Sequence, residues 1–384
     1  MSVTAAKGFR AAGVAAGLKS TGAADLALVL NDGPNDAAAA VFTSNRCKAN
    51  PVLWSERAIS DGRLRAVVLN SGGANCYTGA EGFQTTHATA EEVARRNSVD
   101  ALDVLVCSTG LIGPLLDKDK LLAGVADATS KLATDGGLAA AQAIMTTDTV
   151  NKQASVTSPH GWTVGGMAKG AGMLAPALAT MLVVITTDAQ VDSTGLDSAL
   201  RAATAVTFDR LDSDGCQSTN DTVVLLSSGA TGMTPDPIEF TAAVTAVCKD
   251  LALQLLADAE GADHEIAIEV LNAASEAEAV EVGRSVARSN LFKAAIFGRD
   301  PNWGRILASV GTTTATFDPA DLDVALNGVW VCRKSAPDEN PEGIDLSGRQ
   351  VAVTIDLKSG PATATVWTND LTHAYVHENS AYSS

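Results

Sequence analysis

The chain has 384 residues, of which 46% are apolar and 18% are charged, so it can bury a sizeable hydrophobic core. Its formal net charge is −17, with no block of Lys and Arg to offset it. This charge argues against nucleic acid or an anionic membrane as a partner, because their phosphates would be repelled. The first twenty residues lack the continuous apolar core of a signal peptide, and we therefore expect a cytoplasmic location.

Apolar runs of strand length alternate with segments of helical periodicity along the whole chain. The order predicts an α/β protein with layered sheets flanked by helices, without the constant period of a repeated β–α–β unit. The apolar runs predict strands at 26–30, 39–43, 66–69, 104–106, 181–186, 222–226, 266–270, 351–357 and 362–367. The periodic segments predict helices at 85–96, 117–132, 139–145, 196–206, 239–257 and 275–289.

One segment differs from the rest in composition. Residues 164–178 read VGGMAKGAGMLAPAL, and their Gly, Ala and Pro content disfavours a regular helix. The residues that follow, ATMLVVITTDA, are typical of a buried strand. We therefore expect a mobile segment of small residues that leads into a rigid strand beginning near Thr180.

The Ala179–Thr180 junction lies where these two segments meet, and it permits a particular chemistry. A threonine hydroxyl is a weak nucleophile unless a base activates it. A threonine at a chain terminus carries its own base, because an α-amino group has a pKa of about 7.7–8.0. Such a terminus would form if the Thr180 hydroxyl attacked the Ala179 carbonyl and water hydrolysed the resulting ester. The alternative is that Thr180 serves only as a residue that favours strands.

Several familiar signatures are incomplete. The glycine-rich segment lacks the Lys-Ser/Thr ending of a phosphate-binding loop, and the strand that follows it excludes a dinucleotide fingerprint. Asp212 and Asp214 resemble part of a calcium loop, but Arg210 occupies the first ligand position. His373 and His377 have helical spacing without a third ligand nearby, so we expect no metal site. The six cysteines lack CxxC spacing and are predicted to be reduced thiols.

A set of short blocks resembles the ornithine acetyltransferase family, also called glutamate N-acetyltransferases. The block around the junction reads MAKGAGMLAPALATMLVV. No single block is specific, but together they follow the family's order over nearly the whole chain. The others are GFRAAGVAAGLK near the start, VFTSN at 41–45, NSGGANCYTG at 70–79, CSTGLIG at 107–113, MTTDT at 145–149, STNDTV at 218–223, DAEGA at 258–262, GRDPNWGRI at 298–306 and the ending YVHENSAYSS.

The resemblance implies roles for individual residues. Thr180 is implied to be the nucleophile, with self-cleavage between Ala179 and Thr180. Thr109 and Gly110 are implied to stabilise the oxyanion. Physical chemistry agrees with two further assignments, because Lys169 can pair with a substrate carboxylate and Glu260 with the ammonium of ornithine. The implied substrate-binding residues are Thr146, Lys169, Thr180, Glu260, Asn379 and Ser384.

The sequence departs from the usual family pattern at a few positions. Ala171 stands where Ser is common, and Leu178 stands where Met is common. Asp263 and His264 follow the EGA sequence where Thr and Lys are common. We expect this pair to change the charge pattern beside Glu260, and such a change would bear on the choice of acetyl donor.

The resemblance implies acetyl transfer from N2-acetyl-L-ornithine to L-glutamate in arginine biosynthesis, through an acetyl ester on Thr180. Acetyl-CoA is an alternative acetyl donor, and no other cofactor is implied. The implied fold is an α/β arrangement similar to the N-terminal-nucleophile hydrolases. Cleavage would leave an α chain of residues 1–179 and a β chain of residues 180–384, and two of each would assemble.

Two other functions stay open at this point. A self-cleaving amidohydrolase or aminopeptidase would use the same threonine and pass the acyl group to water. A non-catalytic metabolite-binding protein would never cleave itself. Lys169, Glu260 and the ending YVHENSAYSS favour the transferase over the hydrolase, and the intact Ala179–Thr180 junction argues against the binding protein.

Overall fold

Three β-sheets organise residues 2–174 and 181–381, the part of the chain that the computed structural model describes. The strands in these ranges are β1 (Phe9–Val14), β2 (Leu26–Asn31), β3 (Ala38–Phe42), β4 (Ala66–Asn70), β5 (Val104–Ser108), β6 (Lys152–Thr157), β7 (Thr163–Lys169), β8 (Leu182–Thr187), β9 (Thr222–Ser227), β10 (Glu265–Ala273), β11 (Asp323–Leu326), β12 (Val329–Arg333), β13 (Ala336–Pro337), β14 (Gln350–Asp356) and β15 (Ala362–Asn369). The helices are α1 (Asn50–Ala58), α2 (Gly79–Asn97), α3 (Lys118–Ser130), α4 (Gly137–Ala143), α5 (Ser193–Ala205), α6 (Pro237–Ala257), α7 (Glu276–Ala287), α8 (Asn290–Phe297), α9 (Trp303–Val310) and α10 (His373–Ala381).

Two of the sheets pack face to face and build the layered body that carries the site. The four-stranded sheet has the order β1-β2-β4-β5, and the five-stranded sheet has the order β3-β9-β8-β7-β6. On β8, Leu182 and Val184 contact the four-stranded sheet, whereas Val183 and Ile185 pack toward α5 and α6. This alternation is the period of two that a strand buried on both faces requires.

Helices cover the outer faces of this pair of sheets. Val93 on α2 and Val125 on α3 pack with Leu28 and Val68 on the outer face of the four-stranded sheet. On the other side, α5 and α6 cover the five-stranded sheet. The result is four layers in the order helix, sheet, sheet, helix, as expected when each sheet must bury both faces.

The third sheet forms a separate core with its own helices. Its six strands have the order β13-β12-β11-β14-β10-β15, with β10 parallel to β14 and antiparallel to β15. On β10, Ile266, Ile268 and Val270 are buried with residues of α7, whereas Glu269 is exposed. One face of this sheet is therefore packed on helices, and the alternation predicts a more polar opposite face.

Helix α6 is apolar and long enough to cross a membrane by length and composition, and it is the one such helix in the described ranges. Its burial gives it another role. Val244, Val247, Leu251 and Leu255 are fully buried against the five-stranded sheet and α5. The helix is therefore a core helix of the layered body.

The predicted α/β class with layered sheets and flanking helices is confirmed, and each predicted strand and helix is present, with ends that shift by up to six residues at the start of α2. The expectation for residues 164–178 is wrong over its first part, because β7 spans Thr163–Lys169 as a buried central strand. Glycine explains the difference, since a Cβ at Gly165 would lie 2.3 Å from the Ser2 carbonyl oxygen. The small residues allow close packing of a regular strand rather than mobility. Residues 175–180 lie outside the described residues.

Candidate active site

One cavity of about 300 Å³ brings together six of the residues singled out from the sequence. It lies at the edge where β5 and β7 end and β9 begins. Ala179, Thr180 and Ser384 lie outside the described residues, so their positions are not part of this geometry. The six residues that line the cavity are Thr109, Gly110, Thr146, Lys169, Glu260 and Asn379.

Lys169 presents a buried ammonium at one wall of the cavity. It is the last residue of β7, and its side chain is only 2% exposed. Its Nζ donates hydrogen bonds to Thr146 Oγ1 at 2.8 Å and to Thr109 Oγ1 at 3.2 Å. Burial lowers the pKa of Lys169, while the nearby Asp148 carboxylate opposes that shift. An ammonium held in this way can pair with a carboxylate that enters the cavity.

Asp148 holds Lys169 in place. It belongs to the MTTDT block, and the sequence alone assigns it no role. Its Oδ2 lies 4.0 Å from Lys169 Nζ and accepts the Thr146 N–H at 3.0 Å. Its Oδ1 accepts the Gly170 N–H and the Lys152 ammonium, both at 2.6 Å. Burial alone would raise the pKa of Asp148, but Lys169 and Lys152 hold it at about 2. Asp148 is therefore a carboxylate that fixes two cavity residues.

The turn after β5 contains Thr109 and Gly110. Gly110 has φ of +127°, and a Cβ there would lie 3.0 Å from backbone atoms of Gly73, so the position requires glycine. The Gly110 N–H makes no hydrogen bond within the described residues. Thr109 Oγ1 accepts from Lys169, which leaves its own O–H free to donate. Both groups can therefore act as hydrogen-bond donors toward the cavity.

Glu260 forms the side of the cavity that carries negative charge. It lies in the loop between α6 and β10, and its N–H donates to the Ala171 carbonyl at 2.9 Å. Asn379 on α10 donates from Nδ2 to Glu260 Oε2 at 3.2 Å. A Cβ at Gly172 would lie 2.7 Å from the same carboxylate, so that glycine allows the close approach. With Lys169 and Glu260 in one cavity, opposite charges are available to a zwitterionic ligand.

Asp263 and His264 do not lie beside Glu260 in the way expected from the sequence. The His264 ring is buried, with Nδ1 at 2.7 Å from Asp370 Oδ2 and Nε2 at 3.0 Å from the Leu346 carbonyl oxygen. Asp263 is exposed. Neither residue lines the cavity in which Glu260 lies.

The STNDTV block supplies a contact that the sequence could not assign. Asn220 lines the cavity, and its Nδ2 donates to the carbonyl oxygens of Ala74 at 2.7 Å and Ser108 at 2.8 Å. Ser108 directly precedes the Thr109 turn. Asn220 thereby ties the beginning of β9 to the backbone that positions Thr109.

A larger surface cleft of about 640 Å³ lies along α7, away from these residues. Its cations have partners in the protein. Arg210 pairs with Glu276, Arg288 Nε lies 2.7 Å from Asp212 Oδ2, and Arg284 donates to a backbone carbonyl. We therefore place the candidate site in the smaller cavity, which is lined by six of the residues singled out from the sequence.

Within the described residues, no cluster of three or more His, Cys, Asp or Glu side chains is arranged to hold a metal ion. His373 and His377 both lie on α10. The ring of His373 packs edge-on against Phe297, with 5.4 Å between ring centroids. The His373 ring therefore has an ordinary packing role, and His377 is exposed.

Comparison with known proteins shows which family this chain resembles. The sequence profile of the ArgJ family matches residues 10–384. The chain is 63% identical to the arginine biosynthesis bifunctional protein ArgJ of Streptomyces coelicolor and 62% identical to that of Thermobifida fusca, over 100% of both chains in each case. A crystal structure of ornithine acetyltransferase complexed with ornithine, from Mycobacterium tuberculosis, is 58% identical with a TM-score of 0.45. That match covers 47% of this chain and 96% of the other.

Proposed function

Because the chain belongs to the ArgJ family, we propose that it transfers the acetyl group of N2-acetyl-L-ornithine to L-glutamate through an ester on Thr180. It is an acetyltransferase of arginine biosynthesis. The observation that carries the detailed proposal is the cavity in which Lys169, Thr109 and Glu260 converge beside the start of β8. These groups match a substrate that carries an α-carboxylate, an acyl carbonyl and an ammonium.

The first step is self-cleavage of the chain between Ala179 and Thr180. The Thr180 hydroxyl attacks the Ala179 carbonyl carbon, the bond to the Thr180 nitrogen breaks, and water hydrolyses the ester that results. The products are an α chain of residues 1–179 and a β chain of residues 180–384. The new α-amino group of Thr180 then serves as the base for its own hydroxyl.

Acetyl transfer then follows in two half-reactions on one nucleophile. Thr180 attacks the acetyl carbonyl of N-acetylornithine, ornithine leaves with the proton, and an acetyl ester remains. Glutamate enters the same cavity, its amine attacks the ester, and N-acetylglutamate leaves. A single cavity can serve both substrates in turn because they share an α-amino acid framework.

The six cavity residues singled out from the sequence each have a role in this scheme. Lys169, held by Thr146, pairs with the α-carboxylate, and Glu260, held by Asn379, pairs with the ammonium of ornithine. The Thr109 hydroxyl and the Gly110 N–H stabilise the oxyanion of the tetrahedral intermediate. Ser384 completes the substrate site from the C-terminus. Donors fixed in advance favour the transition state, because the negative charge develops only there.

The family relatives are named bifunctional, and we infer that the second activity is acetylation of glutamate by acetyl-CoA. This donor would load the same Thr180 ester. We further propose that two α and two β chains assemble in the cytoplasm and that catalysis needs no metal.

The test is mass spectrometry of the purified protein under denaturing conditions. Wild type should give fragments of 179 and 205 residues (384 − 179 = 205), whereas Thr180→Ala should remain one chain of 384 residues. N-acetylornithine alone should add one acetyl group to the β chain, and glutamate should remove it as N-acetylglutamate. An intact and fully active wild type would contradict the mechanism.

The same assay separates the transferase from a hydrolase. A hydrolase on this scaffold would release the acetyl group from the β chain as free acetate, with or without glutamate. Parallel assays with N-acetylornithine and acetyl-CoA as donors would establish whether both load Thr180.

A further inference from the structure

Lys19 is a second lysine of the active-site cavity, and the scheme above gives it no role. It lies in the loop between β1 and β2, in the block GFRAAGVAAGLK. Among the described residues that line this cavity, Lys19 and Lys169 are the two with cationic side chains, and Glu260 is the one with a carboxylate. The lining therefore carries one more positive group than negative groups.

The protein holds Lys19 at both ends of its side chain. The carboxylate of Asp25, which is 0% exposed, accepts the Lys19 backbone N–H at 2.9 Å together with two other N–H groups of the same loop. The Lys19 ammonium donates to the carbonyl oxygens of Ala24 at 3.0 Å and Met145 at 2.6 Å. The position of this ammonium is thus set before a ligand enters, as a binding residue requires.

The Lys19 ammonium also has capacity left for a ligand. It has three N–H donors, of which two are used by neutral carbonyl groups, and it forms no ion pair with a carboxylate in the described part of the chain. Burial lowers the pKa of Lys19, the Asp25 carboxylate opposes this shift, and the charge of Lys169 lowers the pKa further. The two ammonium groups therefore repel each other, and an anionic ligand in the cavity would relieve that repulsion.

The two amino acids in the proposed reaction differ in the charge of their side chains. N-acetylornithine carries one carboxylate and one ammonium, so Lys169 and Glu260 are sufficient to pair with it. Glutamate carries a second carboxylate in place of the ammonium. Glu260 would repel that group, and Lys169 already pairs with the α-carboxylate. Glutamate therefore needs another cation in the cavity, because a carboxylate that enters a cavity without a partner is strongly destabilised.

We propose that Lys19 pairs with the side-chain carboxylate of glutamate and thereby selects the acetyl acceptor. This inference rests on the acetyl transfer proposed above. Lys169 then serves the carboxylate that both substrates share, Glu260 serves the ammonium of ornithine, and Lys19 serves the carboxylate that only glutamate has. Removal of the Lys19 ammonium should therefore weaken the use of glutamate without affecting formation of the acetyl ester from N-acetylornithine.

The experiment measures the two half-reactions of Lys19→Met separately, on fully cleaved protein. This change keeps most of the unbranched side chain and removes the ammonium. N-acetylornithine without an acceptor should acetylate the β chain at close to the wild-type rate, as followed by mass spectrometry. Transfer of that acetyl group to glutamate should require about tenfold more glutamate, as expected when one partner of a charge pair is lost.

Glutamine tests whether charge is the cause, because it has nearly the shape of glutamate but no side-chain carboxylate. Wild type should prefer glutamate to glutamine as acceptor by at least about tenfold, and Lys19→Met should lose most of that preference. Lys19→Arg, which restores a cation, should recover part of it. A variant in which the loop is merely disturbed would become slower with both acceptors and would keep the preference.

Lys131→Met provides the matched control. Lys131 is an exposed lysine after α3, and its ammonium lies 2.8 Å from an Asp127 carboxylate oxygen. The same chemical change at this position should alter neither half-reaction nor the preference for glutamate. Thermal unfolding of wild type and of each variant would verify that all of them are folded.

Some outcomes would overturn this inference and leave the proposed function in place. If Lys19→Met still prefers glutamate to glutamine as strongly as wild type does, Lys19 does not pair with the side-chain carboxylate. If ester formation from N-acetylornithine falls as much as transfer to glutamate, Lys19 acts on a group that both substrates share or only on the loop. A wild type that never forms the acetyl ester would instead remove the proposed function, and the role of Lys19 with it.

Discussion

The two ends of the five-stranded sheet both bury polar groups, but those groups are bonded differently. At the end away from the cavity, Asp188 accepts the Lys7 N–H at 3.0 Å and the Thr163 N–H at 2.7 Å, one on each oxygen. At the cavity end, Asp221 Oδ1 accepts the Met181 N–H whereas its Oδ2 has no hydrogen-bond partner in the described residues, and the buried Lys169 ammonium lines the cavity.

This difference separates structural from chemical roles. A buried group whose hydrogen bonds are satisfied by the backbone fixes the chain and has no capacity left for a ligand. A buried group with spare capacity is destabilising by itself, so its environment must hold it in place, as Asp148 holds Lys169. Substitutions at the cavity end should therefore change kinetics, whereas substitutions at the far end should change stability.

The largest effect is expected for Lys169→Met, which keeps most of the unbranched side chain and removes the ammonium. Loss of one partner of a buried charge pair costs about 2–5 kcal/mol, so kcat/KM for N-acetylornithine should fall about a thousandfold. Steady-state kinetics on fully cleaved protein would measure this fall in kcat/KM. Lys131→Met, at an exposed lysine after α3, should behave as wild type. If kcat/KM of Lys169→Met falls by less than about tenfold, the Lys169 ammonium does not contribute to substrate binding.

Thr109→Ala should lower kcat by about 10²–10³, the usual effect of losing one oxyanion donor. KM should change far less, because the lost hydrogen bond forms mainly in the transition state. Thr109→Ser keeps the hydroxyl and should recover most of the turnover. Turnover near wild type in a fully cleaved Thr109→Ala would assign the turn after β5 to structure alone.

Asp148→Asn should shift the pH dependence of substrate binding. Burial lowers the pKa of Lys169 and the Asp148 carboxylate opposes this, so a neutral asparagine lets the pKa fall further. The ammonium is then lost at a lower pH, and KM for N-acetylornithine should begin to rise at lower pH than in wild type.

The rise in KM should reach about tenfold at a pH where wild type still binds well. The other titratable groups that act on Lys169 are Lys19, Lys152, Asp221 and Glu260, and they remain in this variant. Identical profiles of log KM against pH for Asp148→Asn and wild type would show that Asp148 does not set the charge of Lys169.

A smaller effect is expected from deletion of Ser383 and Ser384, which lie outside the described residues. Asn379 near the end of α10 lines the cavity and donates to Glu260. KM should rise several-fold while self-cleavage continues, because these serines are proposed to contact substrate and not the Ala179–Thr180 bond. Unchanged kinetics would mean that Ser383 and Ser384 do not contact substrate and belong only to a frayed chain end.

The sequence could predict features that depend on local pattern. Strands such as β8 and helices such as α6 follow from periodicity, and the blocks around Thr109 and Lys169 follow from the family resemblance. The composition of residues 164–178 led to a wrong prediction for β7. Its glycines suggested a mobile segment, whereas they allow close packing of a regular strand.

Contacts between distant positions could not be read from the sequence. Asp221 meets Met181 across 40 residues, and Asn220 meets Ser108 across 112. Likewise, nothing local indicates that His264 bonds Asp370 instead of flanking Glu260. Such pairs depend on which strands are neighbours in the sheet, and that order is set by the whole fold.

The smallest kinetic effect is expected for Asp188→Asn at the far end of the sheet. This change leaves an amide where both carboxylate oxygens accepted backbone N–H groups, so one N–H loses its acceptor and meets a donor instead. A hydrogen bond to a charged group contributes about 1.5–3 kcal/mol, and the free energy of unfolding should fall by about that amount. Because Asp188 lies at the opposite end of β8 from the cavity, kcat and KM should stay within about twofold of wild type. Urea unfolding and steady-state kinetics on one preparation would measure both quantities. A large kinetic loss with unchanged stability would mean that the two ends of the sheet are coupled, and the division between structural and chemical roles would fail.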